Sequence, residues 1–342
     1  LPFSLHKTIL PSSREYGILE SLSDYYQGIL LALEELEKEG IVLTLHVYDT
    51  RMDSLQTVKI LQKPEMPSMD LMIGPLDPPS FAAASNFSKQ NEIPIVSPFS
   101  IGDANAPVNP YSFWCSPALE SYGKCAAIHL SGLSGKTNVL YLSDGSSTDK
   151  SFKKGLLSLK DSLHFNFVEK KIDENFDPLP LLKKGDSLVN IVLVPSDQEK
   201  KVNMALRSFR PAQDESYAIQ VVGLDTWLDF RDPELEHWEK MQATLITAFY
   251  AYEGDSTYRH FHQAFRAKYQ IAPGKYALKG YDQMRFFGQS LMAFGKAFPA
   301  YVMKTGFTCL GSDYYWVKGS RYVQNQALRR IEFKDYRFTP IP

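Results

Sequence analysis

Two stretches of this 342-residue chain carry residue types that do chemistry in other settings, and both fail on spacing. Gly132-Leu-Ser-Gly-Lys136-Thr137 looks like a phosphate-binding loop. The full pattern needs a glycine five residues before Gly135, and Leu130 stands there. The residues that follow, Asn138 to Leu142, read as a strand, whereas a phosphate loop opens a helix whose free N–H groups hold the anion. His260 and His262 are two apart rather than four, with no glutamate between them, so they do not make a helical zinc pair. No G-x-S-x-G elbow occurs. Asn86-Phe-Ser88 is a formal glycosylation sequon on a predicted helix. The reading is a non-enzymatic chain with no catalytic residue, metal site or cofactor motif.

What remains are hydroxyls, carboxylates and aromatics that stand just after apolar, strand-like runs. In open parallel sheets, ligands sit beyond the carboxyl ends of the strands. That rule picks out Asp77, Ser80, Ser97 and Ser100 in the first part of the chain. It picks out Asp144, Ser196, Asp225 and Trp227 in the second, with Tyr250 where the chain returns. Each has a plainer reading beside the ligand-binding one. Ser80 and Asp197 fit as helix caps, and Trp227 fits as packing. Pro78 and Pro79 follow Asp77 and carry no N–H. A ligand carboxylate at that loop would meet few donors and one negative charge, so a cationic or sugar-like ligand suits it better.

These loops are positioned by an alternation of strands and helices. Tyr26, Ile29, Leu30, Leu33 and Leu36 mark one face of a helix over Ser23–Lys38. Ser21 and Asp24 stand at its start in a capping-box-like relation, and Gly40 fits its C′ position. A strand is expected over Ile41–Tyr48, then strands at Met69–Ile73, Ile93–Val96 and Tyr111–Cys115. The rhythm repeats with strands at Asn138–Leu142, Phe165–Glu169, Leu188–Val194, Ile219–Leu224 and Ala243–Tyr250. Leu188–Val194 is almost wholly apolar, the mark of a sheet buried on both faces. Helices fall between these strands, two of them after Tyr250. Tyr314–Val317 and Leu328–Phe333 are strand-like and close the chain. Alternation of this kind gives an α/β fold with parallel sheets. There are more strands than one doubly wound lobe needs, so two similar lobes are expected.

Composition agrees with a globular protein: 44% apolar and 22% charged residues. A formal net charge of −2 argues against a nucleic-acid or membrane-surface partner. No apolar run approaches the roughly 18 residues of a membrane span. Leu1-Pro2-Phe3 opens without a signal segment. Cys115, Cys125 and Cys309 are too few for a disulfide scaffold and read as buried thiols, with a Cys115–Cys125 or Cys125–Cys309 bridge open to an exported chain.

Taken in order, Asp24-Tyr-Tyr-Gln-Gly-Ile-Leu-Leu-Ala-Leu, Leu45-His-Val-Tyr-Asp-Thr50, Met69-Asp-Leu-Met-Ile-Gly-Pro75 and Ile93-Pro-Ile-Val-Ser-Pro98 resemble the first lobe of the type I periplasmic-binding family. Asn138-Val-Leu-Tyr-Leu-Ser-Asp144 resembles the strand that opens its second lobe, and Lys279-Gly-Tyr-Asp-Gln-Met284 its glycine–tyrosine–aspartate helix. The nearest look is to Bacteroidetes envelope proteins that often carry a LysM module ahead of this domain. Leu1-Pro2-Phe3 resembles the tail of the family's first strand. The resemblance implies two Rossmann-like lobes, 1–117 plus 244–306 and 118–243 plus 307–342. It implies a central cleft, with hinge crossovers near Pro117, Ala243 and Gly306. It also implies periplasmic or envelope residence and capture of a small polar ligand, an amino acid or similar, for uptake or sensing with an ABC permease. The alternative it carries is an envelope interaction module that activates peptidoglycan synthesis by contact with a peptidoglycan-associated protein and transports no ligand.

Overall fold

The computed structural model describes residues 1–3, 14–99, 107–133, 136–215, 217–303 and 305–341. The chain forms two compact units. The first comprises Leu1–Ser116 and Tyr250–Ala327, the second Pro117–Phe249 and Leu328–Pro342. The chain therefore passes between units three times, at 116–117, 249–250 and 327–328.

The first unit holds a six-stranded sheet. In chain order its strands are β1 (Met72–Ile73), β2 (Ile95–Ser97) and β3 (Ser112–Trp114), then β9 (Gly306–Thr308), β10 (Asp313–Lys318) and β11 (Val323–Asn325), arranged β1-β2-β3-β11-β10-β9. β1, β2, β3 and β11 run parallel, and β10 and β9 are antiparallel additions. Because β11 pairs with β3, residues 306–327 belong to the first unit, whereas the sequence reading sends 307 onward to the second lobe. Likewise the strand at 244–247 stays in the second unit, and the return falls at Tyr250 rather than Ala243.

The second unit holds a seven-stranded sheet of β4 (Lys136–Ser143), β5 (Val168–Lys171), β6 (Leu188–Leu193), β7 (Ile219–Leu224), β8 (Thr244–Thr247), β12 (Arg329–Lys334) and β13 (Arg337–Ile341), in the order β13-β12-β8-β7-β6-β4-β5. β4 to β8 are parallel; β12 and β13 are antiparallel. Ile191, Val192, Leu193, Val221 and Leu245 are all fully buried, as a strand covered on both faces requires.

In each unit a glycine pair lets two helices touch backbone to backbone. In the first, α1 (Arg14–Lys38) packs on the Lys275–Phe294 helix. A Cβ on Gly28 would stand 1.8 Å from the Ala277 carbonyl oxygen, and one on Gly280 would stand 2.1 Å from that of Tyr25. Only glycine permits so close an approach. α1 begins well before the expected Ser23. Asp24 is not its cap; it accepts the N–H groups of Gly274 and Ala277 and so caps the partner helix. Tyr281 Oη donates to Glu35 on α1. Two more helices, α2 (Ser54–Leu61) and α3 (Pro78–Asn91), pack on each other. In the second unit the same device joins α4 (Leu119–Gly132) to α5 (Ser147–Leu157). There Gly123 faces the Phe152 carbonyl and Gly155 that of Glu120.

The expected strand at Ile41–Tyr48 is not paired. Gly40 ends α1 with φ +85°, as a C′ glycine should. Beyond it Val42, Leu45 and Val47 are exposed, and no ladder joins this stretch to β1 or to another strand among the described residues. The apolar pattern is present; a neighbour that would make it a strand is not among the described residues. The three thiols are free, with Cys115 and Cys309 in the first unit and Cys125 in the second.

Candidate functional site

In the first unit the carboxyl end of β1 leads through Gly74-Pro75 to Asp77 at the N-cap of α3. One Asp77 oxygen, Oδ2, accepts the N–H of Ser80 at 3.1 Å. Its other oxygen, Oδ1, is buried without a hydrogen-bond partner among the described residues, and so is the hydroxyl of Ser80, a residue with no exposed surface. The capping role therefore falls to Asp77, and not to Ser80, for which the sequence left a cap and a ligand contact both open. Pro78 and Pro79 occupy the first helical turn and offer no N–H. Thr50 Oγ1, on the segment after 41–48, is a third buried oxygen with no partner among the described residues. Buried polar atoms are nearly always satisfied, so an orphaned carboxylate oxygen with an orphaned hydroxyl beside its cap is unusual.

Ser97, at the end of β2, is fully buried and donates to the Phe99 carbonyl at 2.9 Å. Its hydroxyl closes a local turn. Ser100 lies outside the described residues. Tyr250 enters the first unit with its N–H on the Gly311 carbonyl at 2.9 Å. Burial, with Glu253 and Tyr252 adding, pushes its phenol up to about 12, so it stays a hydrogen-bond donor at neutral pH.

The second unit gathers its candidates at the carboxyl ends of β4, β6 and β7. Asp144 Oδ1 takes the Ser146 N–H at 2.8 Å, while Oδ2 takes the Ser196 hydroxyl and, at 3.3 Å, the Gln198 amide. Ser196 is fully buried and its carbonyl accepts the Trp227 indole N–H at 2.9 Å. Trp227 is 1% exposed and lies over Gly223, stacked on Phe230 and tilted against Trp238. Its influence on the loop tips runs through Ser196. Asp225 Oδ2 accepts from Tyr122 Oη at 2.9 Å, the Ala248 N–H at 3.1 Å and Thr247 Oγ1 at 3.3 Å. That oxygen ties α4, β7 and the end of β8 together. Asp197 does not cap the following helix, which has Gln198 at its N-cap position; it accepts the Thr148 hydroxyl at 2.9 Å instead.

The structure brings Asp144 and Ser196 together, and the sequence reading misses Gln198 beside Asp144, Thr148 beside Asp197 and Tyr122 beside Asp225. Tyr122 lies 103 residues before Asp225, and no local pattern signals that pairing. No group of three or more His, Cys, Asp or Glu able to hold a metal occurs among the described residues. No described helix is long and apolar enough to cross a membrane.

No protein-family model matches the sequence, and no curated protein matches it. Solved structures do. A branched-chain amino acid ABC transporter protein from Rhodospirillum rubrum is 14% identical, with a TM-score of 0.71 over 94% of this chain and 96% of that one. An ABC transporter substrate-binding protein from Desulfitobacterium hafniense in complex with Leu is 15% identical, with a TM-score of 0.56 over 93% and 95%. An ABC transporter solute-binding protein from Rhodopseudomonas palustris in complex with 3,4-dihydroxybenzoic acid is 16% identical, with a TM-score of 0.51 over 94% and 92%. Two α/β units on mostly parallel sheets make this the type I periplasmic-binding fold. At such identities the likeness speaks for the fold; the two bound ligands differ in chemistry, so the fold does not choose one.

Proposed function

We propose that this chain is a non-enzymatic, envelope-resident solute-binding protein that takes up a small polar ligand, an amino acid or related compound, for ABC-type uptake or sensing. The observation that carries the reading is the pair of orphaned oxygens at the carboxyl end of β1, Asp77 Oδ1 and Ser80 Oγ. They stand where an open parallel sheet receives ligands, in a fold whose solved neighbours include transport substrate-binding proteins. A carboxylate oxygen lacking a donor favours an ammonium or hydroxyl group on the ligand. The two prolines after it remove the N–H groups that would hold an anion. The preferred ligand is thus a basic or polyhydroxylated metabolite rather than a simple carboxylic acid.

The test is a melting-temperature screen across basic and neutral amino acids, sugars, polyamines and peptidoglycan fragments, because a binder of the folded state must raise it. Asp77→Asn keeps a helix cap and removes the charge. It should abolish the shift given by a cationic ligand while leaving the unliganded melting temperature within a few degrees. A ligand whose shift is the same in Asp77→Asn and the parent chain counts against this site. No shift with any compound would count against solute capture and favour the envelope interaction module that the sequence resemblance also implies, including its LysM-associated subgroup.

A further inference from the structure

In the second unit one face of a helix grips a stretch of chain that the solute-binding reading does not use. Glu199, Asn203 and Arg207 stand four residues apart on the Glu199–Ser208 helix, so they share a face. All three bond to the segment that leads from β7 to the Leu235–Lys240 helix. Glu199 Oε1 accepts the Asp232 N–H at 2.6 Å, and Asn203 Nδ2 donates to the Asp232 carbonyl at 2.9 Å. Arg207 Nε donates to Glu234 Oε1 at 2.7 Å, with a second guanidinium nitrogen on the same oxygen. Side chains thus hold both backbone groups of one residue and the carboxylate two places on.

The gripped segment has little burial of its own. Residues 228–234 join no ladder among the described residues. Leu228, Asp229, Arg231 and Asp232 are exposed, and Phe230 is half-buried. Asn203 Oδ1, on the gripping amide, and Trp238 Nε1, just past the segment, are buried without a hydrogen-bond partner among the described residues. Sparse apolar burial, exposed hydrogen bonds and unsatisfied polar atoms mark a region that opens at less cost than the sheet beside it. Two tryptophans anchor its ends. Trp227 and Trp238 are buried, with ring centroids 5.8 Å apart. Trp227 also reaches a loop tip: its indole N–H holds the Ser196 carbonyl, and the Ser196 hydroxyl holds Asp144. That same hydroxyl accepts the N–H of Gln198, the N-cap of the gripping helix, at 3.2 Å.

We propose that residues 228–234 are a strap that opens as one piece while the sheet stays folded, that Glu199, Asn203 and Arg207 are its clasp, and that Trp227 passes its opening to the Ser196 tip. With the strap shut, the Trp227 indole is pinned and the tip is held from below. With the strap open, the indole is released, the Ser196 carbonyl loses its donor, and the grip of Ser196 on Asp144 loosens. The device lies within the second unit and operates whether or not a solute binds.

The experiment reads amide exchange by mass spectrometry, resolved by peptide, on the full chain. It compares the parent with a clasp variant (Glu199→Ala with Arg207→Ala), with Trp227→Phe, and with all three changes together. The clasp variant should speed exchange at 228–234 about fivefold or more. Exchange at 194–198 should rise with it, while β6 and β7 stay as in the parent. Trp227→Phe keeps a ring and removes the N–H. In that background the clasp changes should still speed 228–234 and add nothing at 194–198. Unchanged exchange at 228–234 in the clasp variant overturns the clasp. An equal rise in β6 and β7 overturns the strap as a separately opening piece. A tip that fails to respond, or responds as strongly in the Trp227→Phe background, overturns the route through Trp227. A second measurement needs no variant: sodium chloride at about 1 M screens the Arg207–Glu234 pair. It should speed 228–234 about twofold over the intrinsic rate change, and no such rise overturns the clasp.

Discussion

Asp282 accepts the N–H of Gly311 at 2.8 Å, and the carbonyl of Gly311 in turn receives the N–H of Tyr250. The carboxylate also takes the N–H groups of Leu310, at 3.1 Å, and Ser312, at 2.9 Å. It is 1% exposed. One side chain on the Lys275–Phe294 helix thereby fixes both the β9–β10 turn and the point where the chain re-enters the first unit. The glycine–tyrosine–aspartate run at 280–282 has a physical division of labour: close approach, a hydroxyl to α1, and a loop anchor.

Asp282→Ala removes the acceptor of three backbone N–H groups, two of them buried. Each orphaned donor costs about 1–3 kcal/mol, so a loss of about 3 kcal/mol or more is expected in urea unfolding. Asp282→Asn retains one acceptor oxygen and should fall between. A loss below about 1 kcal/mol for Asp282→Ala would show that water replaces the carboxylate readily.

Gly280→Ala and Gly123→Ala place a methyl at 2.1 Å and 1.9 Å from a facing carbonyl oxygen. Overpacking of this kind costs about 1–3 kcal/mol and sometimes more. Each lies in a different unit, so Gly280→Ala should raise exchange mainly across α1 and the Lys275–Phe294 helix, and Gly123→Ala mainly across α4 and α5. Hydrogen exchange resolved by peptide distinguishes the two; identical maps would mean that the units unfold as one cooperative body.

Asp225 reads from sequence as a ligand contact, yet one of its oxygens is already occupied by Tyr122, Thr247 and Ala248. Asp225→Ala is expected to lower stability by about 2 kcal/mol and Tyr122→Phe by about 1 kcal/mol. The double variant should lose less than the sum, because the two share a bond. Strict additivity in chemical denaturation would deny the coupling.

His129 on α4 lies against Arg330 of β12, whose guanidinium donates to Nδ1 at 2.6 Å. Burial, with Arg330 adding, lowers the imidazole to about 4. The folded chain thus keeps His129 neutral where the unfolded chain, near 6.5, binds a proton. Stability from this site is complete above about pH 6.5 and is lost as pH falls toward about 4. His129→Gln should flatten the part of the stability–pH curve between those values. An unchanged slope would assign that part to other groups.

The second unit was the more legible half. Leu188–Leu193 and Ile219–Leu224 are apolar runs bounded by polar loops, and both became strands within a residue of their expected limits. β9, β11 and β13 escaped notice because Gly306-Phe-Thr, Val323-Gln-Asn and Arg337-Phe-Thr-Pro-Ile are short, polar or proline-bearing. Their pairing comes from neighbours, not from propensity. Residues 41–48 fail for the converse reason: a pattern fit for a strand with no ladder partner among the described residues. The loop tips were readable from the carboxyl-end rule, but which tip residues are spent on scaffolding was not. Tyr122 with Asp225, and Trp227 with Ser196, are long-range pairings that a single sequence does not encode locally.

The antiparallel β12 closes against β8, whose last residue is Thr247, although β12 begins only at Arg329. During synthesis at roughly 5–20 residues per second, the ribosome exposes the β8 border for several seconds before its cover exists. A nascent chain therefore carries a sticky flank while the other unit is still being made. Chaperone dependence in the cell should track that interval, and lengthening it by slow codons between 248 and 328 should increase aggregation without altering any contact in the finished molecule.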